Sequence, residues 1–246
     1  FSLISGLEGL LFNSIYYKIV LGLPIYDTID NIQTVDRLFP SQLLNVRTDL
    51  VDYKKGKQIN LNEAFLQKNW NLGNGWFAKT AGGYFEYAYG GTAAEILYYP
   101  INKPWAIGID GAWLRKRDYS GLGFTDQARQ IKGWKTTYKT FHPWQAFLNY
   151  YIYSPQVHMG FSTKFGYFLA KDIGVKIMSS KYFKSGLQLS FWVTYTDAND
   201  TVGNKTYYDQ GISFSIPMNW FTSWSSRRRF SYTMAAWLRD AGAIAS

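Results

Sequence analysis

The sequence predicts an all-β fold and favours an antiparallel transmembrane β-barrel of roughly 10–14 strands. Three observations support this prediction: apolar and polar residues alternate, no run of 18 or more apolar residues exists, and tyrosine and tryptophan are abundant. The 246 residues show neither repeats nor a low-complexity linker, so residues 1–246 are predicted to form a single domain.

The segment GLQLSFWVTYTD (186–197) illustrates the alternation. Every second position carries a large apolar side chain: Leu187, Leu189, Phe191, Val193 and Tyr195. A period of two places these side chains on one face of a strand and Ser190 and Trp192 on the other. What this apolar face contacts, the core of a soluble sandwich or the hydrocarbon of a membrane, determines the class of protein.

The same period divides the rest of the chain into strands separated by turn residues. The predicted strands are 15–23, 60–72, 76–89, 92–100, 105–118, 134–142, 145–153, 157–169, 173–183, 186–197, 207–218 and 230–238. Gly73-Asn74-Gly75 is a strong tight-turn signal between two of them. Residues 24–45, which contain two prolines, and residues 119–133 are predicted to be loop-like insertions.

Strand length and the composition of the polar face favour a membrane barrel. Several segments alternate over nine or more residues, whereas soluble strands average about five to six. If the apolar face is outside, the inside carries charged or titratable residues, namely Lys18, Glu86, Glu95, Asp110, Lys135, Lys139, His158, Lys164, Asp172, Lys176 and Asp209. Small residues accompany them, namely Gly82, Gly108, Gly160, Ser162, Gly174, Ser190, Gly211, Ser213 and Ser215. This pattern is typical of barrels, but a large soluble sandwich or jelly roll with an aromatic core remains the alternative.

Composition excludes several function classes. The chain has no cysteine, which removes disulfides and thiolate chemistry, and only two histidines, so no metal or other cofactor is expected. The net charge of +9 is scattered along the strands, which argues against nucleic acid as a partner. Glu86 and Glu95 could form a glycosidase pair, but salt bridges with lysines such as Lys79 or Lys164 are favoured.

Six motifs, in order, resemble the YjbH family of bacterial exopolysaccharide and capsule proteins. They are LLNVRTDLVDYKKG (43–56), GGTAAEILYYP (90–100), RKRDYSGLGF (115–124), GYFLAKDIGVKI (166–177), YYDQGISFSIPMNWF (207–221) and LRDAGA (238–243). The chain resembles the C-terminal, barrel part of the family and departs from its pattern at Tyr167, Lys171 and Gly203-Asn204-Lys205.

The resemblance implies a bacterial outer-membrane barrel that functions in export or surface assembly of a polysaccharide. The sequence contains no nucleophile motif, so enzymatic activity is not expected. The expected partners of the barrel are outer-membrane lipids, a polysaccharide chain and other envelope or export proteins. The predicted binding residues are Tyr84, Glu86, Glu95, Tyr99, Asp110, Tyr151, Lys164, Asp172, Trp192 and Asp209. Two alternatives remain: a structural barrel that anchors an envelope complex, and an outer-membrane hydrolase that uses His142 or His158.

Overall fold

The computed structural model describes residues 2–12, 14–24, 38–49, 52–53, 59–221, 229–235 and 239–245. Most of the predicted loop 24–45 therefore lies outside the described residues. Within the described ranges, no helix has the length and hydropathy needed to cross a membrane.

The described residues include seventeen strands and a short 3-10 helix at Met218–Trp220. The strands are β1 (Ser2–Leu11), β2 (Ile15–Pro24), β3 (Asn60–Gly73), β4 (Trp76–Tyr84), β5 (Tyr89–Tyr98), β6 (Trp105–Arg117), β7 (Phe124–Thr125), β8 (Gln127–Lys132), β9 (Lys135–Thr140), β10 (Trp144–Ser154), β11 (Met159–Tyr167), β12 (Ile173–Tyr182), β13 (Gln188–Thr196), β14 (Thr201–Val202), β15 (Lys205–Thr206), β16 (Asp209–Pro217) and β17 (Arg229–Ala235).

One large antiparallel sheet dominates the fold. Its order is β1-β2-β3-β4-β5-β6-β10-β11-β12-β13-β16-β17, with β7 paired to β6, while β8–β9 and β14–β15 are separate two-stranded sheets. The predicted all-β antiparallel fold is therefore confirmed. Among the described pairings, β1 and β17 each have a single partner and stand at the two ends of the order, so no closed barrel is observed.

The register divides the large sheet into an apolar face and a polar face. On the apolar face, Ile96, Ile109, Leu148 and Phe165 stand opposite one another across four strands. On the polar face, Lys79 stands opposite Glu95, which stands opposite Asp110. These assignments confirm the predicted alternation for most strands.

Burial shows that the polar face is the enclosed one. In β10, Leu148 on the apolar face is 46% exposed, whereas its neighbour Asn149 on the polar face is fully buried. In β13, Phe191 is 50% exposed and Ser190 is 3% exposed. Soluble sheets show the opposite arrangement, with the apolar face buried and the polar face solvated.

The two ends of the sheet differ. At one end, here called the turn end, short connections join the strands. The predicted turn at Gly73-Asn74-Gly75 is confirmed, and a Cβ on Gly75 would lie 2.4 Å from the carbonyl oxygen of Tyr99. At the other end, here called the cap end, longer connections carry the apolar core, which includes Val46, Tyr89, Leu114 and Phe141.

Several predictions about individual elements are wrong. Residues 119–133 are not a loop, because they contain β7 and β8. Lys135 and Lys139 belong to β9, which pairs with β8 outside the large sheet, so they do not lie on its polar face.

Two further residues that were predicted to face the inside lie elsewhere. His158 lies outside the strands, in the connection from β10 to β11, with a φ of 48°. Gly82 stands opposite Leu66 and therefore lies on the apolar face.

Candidate functional site

The polar face carries a series of ion pairs between neighbouring or next-neighbouring strands. The pairs are Lys18–Glu63 at 2.6 Å, Lys79–Glu95 at 2.5 Å, Lys164–Asp110 at 3.0 Å and Lys176–Asp209 at 3.7 Å. Each cation stands beside a carboxylate, so the face is mixed in sign rather than cationic. The prediction that Glu95 pairs with a lysine is confirmed.

Asp110 lies at the centre of this face. It accepts hydrogen bonds from Lys164 Nζ and from the side-chain amide of the buried Asn149. The Lys164 ammonium also lies 5.2 Å from the centre of the Phe147 ring. These contacts hold Asp110 and Lys164 together as a structural pair, in which the carboxylate and the ammonium group are already engaged.

A second cluster occupies β12, β13 and β16. Asp209 accepts hydrogen bonds from Trp192 Nε1 at 3.2 Å and from the Thr194 hydroxyl at 3.0 Å. Lys176 lies 5.3 Å from the Trp192 ring centre and approaches the same carboxylate. The Trp192 indole is therefore held in place by its neighbours.

Near the turn end, four tyrosines line a cavity of about 520 Å³, here called the tyrosine groove. They are Tyr99, Tyr151, Tyr153 and Tyr182. The register places Tyr151, Tyr153 and Tyr182 on the polar face, opposite Ser162, Gly160 and Gln188 respectively. Tyr153 and Tyr182 pack edge to face with their centroids 5.9 Å apart, and Glu95, Ser162 and Ser180 complete the polar lining.

Tyr84 does not belong to this groove. The register places it opposite Ala64 and Gly90, on the apolar side at the cap end, so its predicted inward orientation is wrong. There its ring lies 4.3 Å from the guanidinium of Arg117. Gly82 lies on the same side as Tyr84, and the register continues without a shift through Gly83, so the prediction reversed the two faces of β4 at these positions.

At the cap end, residues 43–49 and 239–245, here called the end cap, pack against the connections of the sheet. The ion pair between Asp49 and Lys116 is fully buried, with 2.8 Å between Asp49 Oδ2 and Lys116 Nζ. Tyr119 donates to the same carboxylate at 2.9 Å, and Tyr89 donates to the carbonyl oxygen of Val46 at 2.6 Å. Burial of such a charge is tolerated because the opposite charge and the hydrogen bonds offset its desolvation.

The two segments of the end cap are joined through Asp240. Its carboxylate accepts hydrogen bonds from the backbone amides of Arg47 and Thr48 at 2.6 and 3.0 Å, and from the Thr48 hydroxyl at 2.6 Å. Burial raises the pKa of Asp240 to about 6, although these three donors oppose the shift. Arg47 in turn forms an ion pair with Glu86 at 2.7 Å. Burial also raises the pKa of Glu86, and the arginine partly offsets this effect.

The end cap also contacts the polar face of the sheet. Gln145 of β10 donates to the carbonyl oxygen of Ala245 at 2.8 Å and accepts from its amide at 2.9 Å. The Gly242 amide donates to Asp172 at 2.7 Å, and a Cβ on Gly242 would lie 2.6 Å from Thr194 Cγ2. The segment 239–245 therefore crosses the polar face at the cap end, from β13 to β10.

The predicted binding residues thus fall into separate groups. Glu86 and Asp172 help to hold the end cap; Glu95, Tyr99 and Tyr151 line the tyrosine groove. Asp110 and Lys164 form one of the two ion-pair clusters described above, Trp192 and Asp209 belong to the other, and Tyr84 lies on the apolar side. The prediction missed Tyr153, Tyr182 and the contacts of Arg47, Asp49 and Asp240. The RTD and RDAGA motifs already contained the latter three residues, but their partners are distant in sequence.

The glycosidase pair of Glu86 and Glu95 does not form. Glu86 lies in the connection before β5, and Glu95 lies within β5, six positions after its first residue, Tyr89. At about 3.3 Å per residue, these six steps span about 20 Å, beyond the roughly 5–10 Å that glycosidase carboxylates require. His158 Nδ1 lies 3.4 Å from the hydroxyl of Tyr153. In the described part of the chain, no three His, Asp or Glu side chains form a group that could hold a metal ion.

Fold and site together define a class: an antiparallel sheet protein with an exposed apolar face, an enclosed polar face and one end covered by an end cap. The chain belongs to the YjbH family, described as "Exopolysaccharide biosynthesis protein YbjH", whose model matches residues 2–246. It is also similar to a protein of Escherichia coli (strain K12) named "Uncharacterized lipoprotein YjbH", with 29% identity over 208 residues. That match covers 82% of this chain and 28% of the relative. No solved structure matches the chain.

Proposed function

We propose that this chain is an outer-membrane β-barrel that serves the export or surface assembly of an exopolysaccharide or capsule and has no enzymatic activity. The observation that carries the proposal is the inverted burial of the sheet. Large apolar side chains such as Ile109 and Phe191 are exposed, while polar side chains such as Asn149 are enclosed. Exposed apolar surface on this scale is costly in water and favourable in lipid.

Strand dimensions also support insertion in a bilayer. In the large sheet, the consecutive strands β3, β4, β5, β6, β10, β11, β12, β13 and β16 have nine to fourteen residues each. A tilted strand of about nine to eleven residues crosses the hydrocarbon layer. In the proposed barrel, β1 pairs with β17, the apolar face contacts lipid and the polar face lines the lumen. The ion pairs of that face then neutralise charge in a space of limited hydration.

The family description supports a role in exopolysaccharide biosynthesis, and the relative's description as a lipoprotein supports association with the cell envelope. The proposed partners are outer-membrane lipids, a polysaccharide chain and other envelope or export proteins, with neither a cofactor nor nucleic acid.

A second candidate function is a structural barrel that anchors an envelope complex. The end cap favours it, because the segment 239–245 crosses the polar face and is held by Gln145, Asp172 and the buried contacts of Asp240. A polymer could pass this end only if the end cap moved. Export and anchoring therefore differ in whether the end cap opens.

Two measurements test the proposal. The purified chain should require detergent and migrate faster on a gel when unheated than when boiled, whereas a monodisperse, detergent-free protein contradicts the barrel. A strain that lacks the protein should lose surface polysaccharide and accumulate it in the periplasm, and plasmid-borne wild-type protein should restore the surface polymer. Loss of the polymer without periplasmic accumulation favours anchoring, and unchanged surface polymer contradicts both functions.

A further inference from the structure

Aromatic side chains near the turn end form two sets on opposite faces of the sheet. On the apolar face, the rings of Trp76 and Tyr98 have their centroids 4.8 Å apart, and those of Tyr98 and Trp105 are 6.0 Å apart. Such a cluster suits the interface between hydrocarbon and headgroups. Of the residues that line the tyrosine groove, Trp105, Ile152 and Phe161 belong to the apolar face. Tyr151, Tyr153 and Tyr182 belong to the opposite, polar face, where contact with lipid gives no explanation for their rings.

The chemistry of the tyrosine groove is aromatic and hydroxylic. Its tyrosines offer ring faces and phenol groups, and Ser162 adds a hydroxyl, whereas the hydroxyl of Ser180 is buried and hydrogen-bonded to Ser190. Tyrosine combines an apolar ring with a hydrogen-bonding end, and therefore suits a ligand with both CH and OH surfaces. A sugar ring has both: its CH groups can pack on an aromatic face while its hydroxyls form hydrogen bonds at the edge.

Charge in the tyrosine groove discriminates between classes of sugar. Among its described lining residues, Glu95 is the one charged side chain, and neither lysine nor arginine is present. The partner of Glu95, Lys79, lies outside the lining. Because Glu95 is already paired with Lys79, the groove wall offers no free cation to a uronic acid or another anionic sugar, so it favours uncharged sugars.

We propose that the tyrosine groove is a binding subsite for uncharged sugar units of a polysaccharide, contacted through Tyr151, Tyr153 and Tyr182. The role of this subsite in polymer passage rests on the proposed function. Its preference for neutral over acidic sugars does not, because that preference can be measured on the purified chain. A polysaccharide that binds here therefore contains uncharged sugar units.

The first test measures binding by the purified full chain in detergent. The ligands are a neutral glucose oligosaccharide and an oligogalacturonate of the same length, titrated by calorimetry. We expect Tyr151→Ala with Tyr182→Ala to weaken neutral binding by about tenfold or more, because two ring contacts are lost. The matched control, Tyr150→Ala, removes the adjacent tyrosine of the same strand, which faces the apolar side, and should leave the affinity unchanged.

A second variant tests the role of charge. Glu95→Gln removes the carboxylate and leaves Lys79 unpaired, so binding of the oligogalacturonate should increase while neutral binding stays within about twofold. Absence of neutral binding, equal affinity for both ligands in the wild type, or equal losses in the double variant and the control would each overturn the subsite. These outcomes are separate from the proposed function, which is measured by polymer export in cells.

Discussion

The change Phe191→Arg discriminates most directly between lipid and water at the apolar face. Phe191 is the fourth of nine residues in β13, one position from its centre, and its side chain is half exposed. In a membrane barrel this position lies near the middle of the hydrocarbon layer. An arginine there would place its charge in the region of lowest polarity.

The expected cost differs between the two environments. Arginine on the lipid face near the bilayer midplane costs about 2–4 kcal/mol. In water, the same change would lose the buried half of the Phe191 side chain, about 1 kcal/mol, and the methylene groups of arginine would recover part of it. A loss in the free energy of unfolding above about 2 kcal/mol therefore indicates lipid.

Gln188→Arg is the matched control, because it adds the same charge to the polar face of the same strand, at a half-buried position. The adjacent Ser190 is unsuitable, since it is nearly fully buried and shares a hydrogen bond of 2.7 Å with Ser180.

Unfolding by urea in lipid vesicles, followed by tryptophan fluorescence and by gel mobility without heating, measures both variants. We expect a large loss of stability for Phe191→Arg and a change within about 1 kcal/mol for Gln188→Arg. Equal effects of the two substitutions, or a larger effect of Gln188→Arg, would refute the assignment of the apolar face to lipid.

Two further predictions concern the end cap. Lys116→Met should destabilise the protein by about 3–5 kcal/mol because it leaves Asp49 buried and unpaired, and the double change with Asp49→Leu should recover most of this loss in urea unfolding. Gly242→Ala should destabilise the protein by about 1–3 kcal/mol more than Gly73→Ala. Both glycines have positive φ, but only a Cβ at position 242 would contact Thr194. Similar losses for both variants would contradict this close packing.

The period-two pattern predicted most of the sheet correctly. It located the large antiparallel sheet, the turn at Gly73-Asn74-Gly75 and the shared face of Glu95, Asp110 and Lys164. These features follow from the sequence because alternation along a strand is local: each side chain points opposite to its neighbour.

The errors arose where the side-chain pattern of a strand is weak or where pairing was not local. Small residues occupy both faces of β4, and the prediction placed Gly82 and Tyr84 on the wrong face. Lys135 and Lys139 have the alternation of a sheet strand, but their strand pairs with β8 in a separate hairpin. A pattern of side chains shows that a strand exists and leaves its partner undetermined.

The sequence by itself determined the strands, their two faces and, through six motifs, the family resemblance. Only the tertiary structure showed that residues from these motifs meet in the end cap, where Arg47 and Asp240 are bonded across 193 positions of the chain. It also decided that Tyr151 and Tyr182, from different strands, line one groove. The physical reason is that alternation depends on the geometry of adjacent residues, whereas these contacts depend on strand order and register, which are set by the packing of the whole sheet.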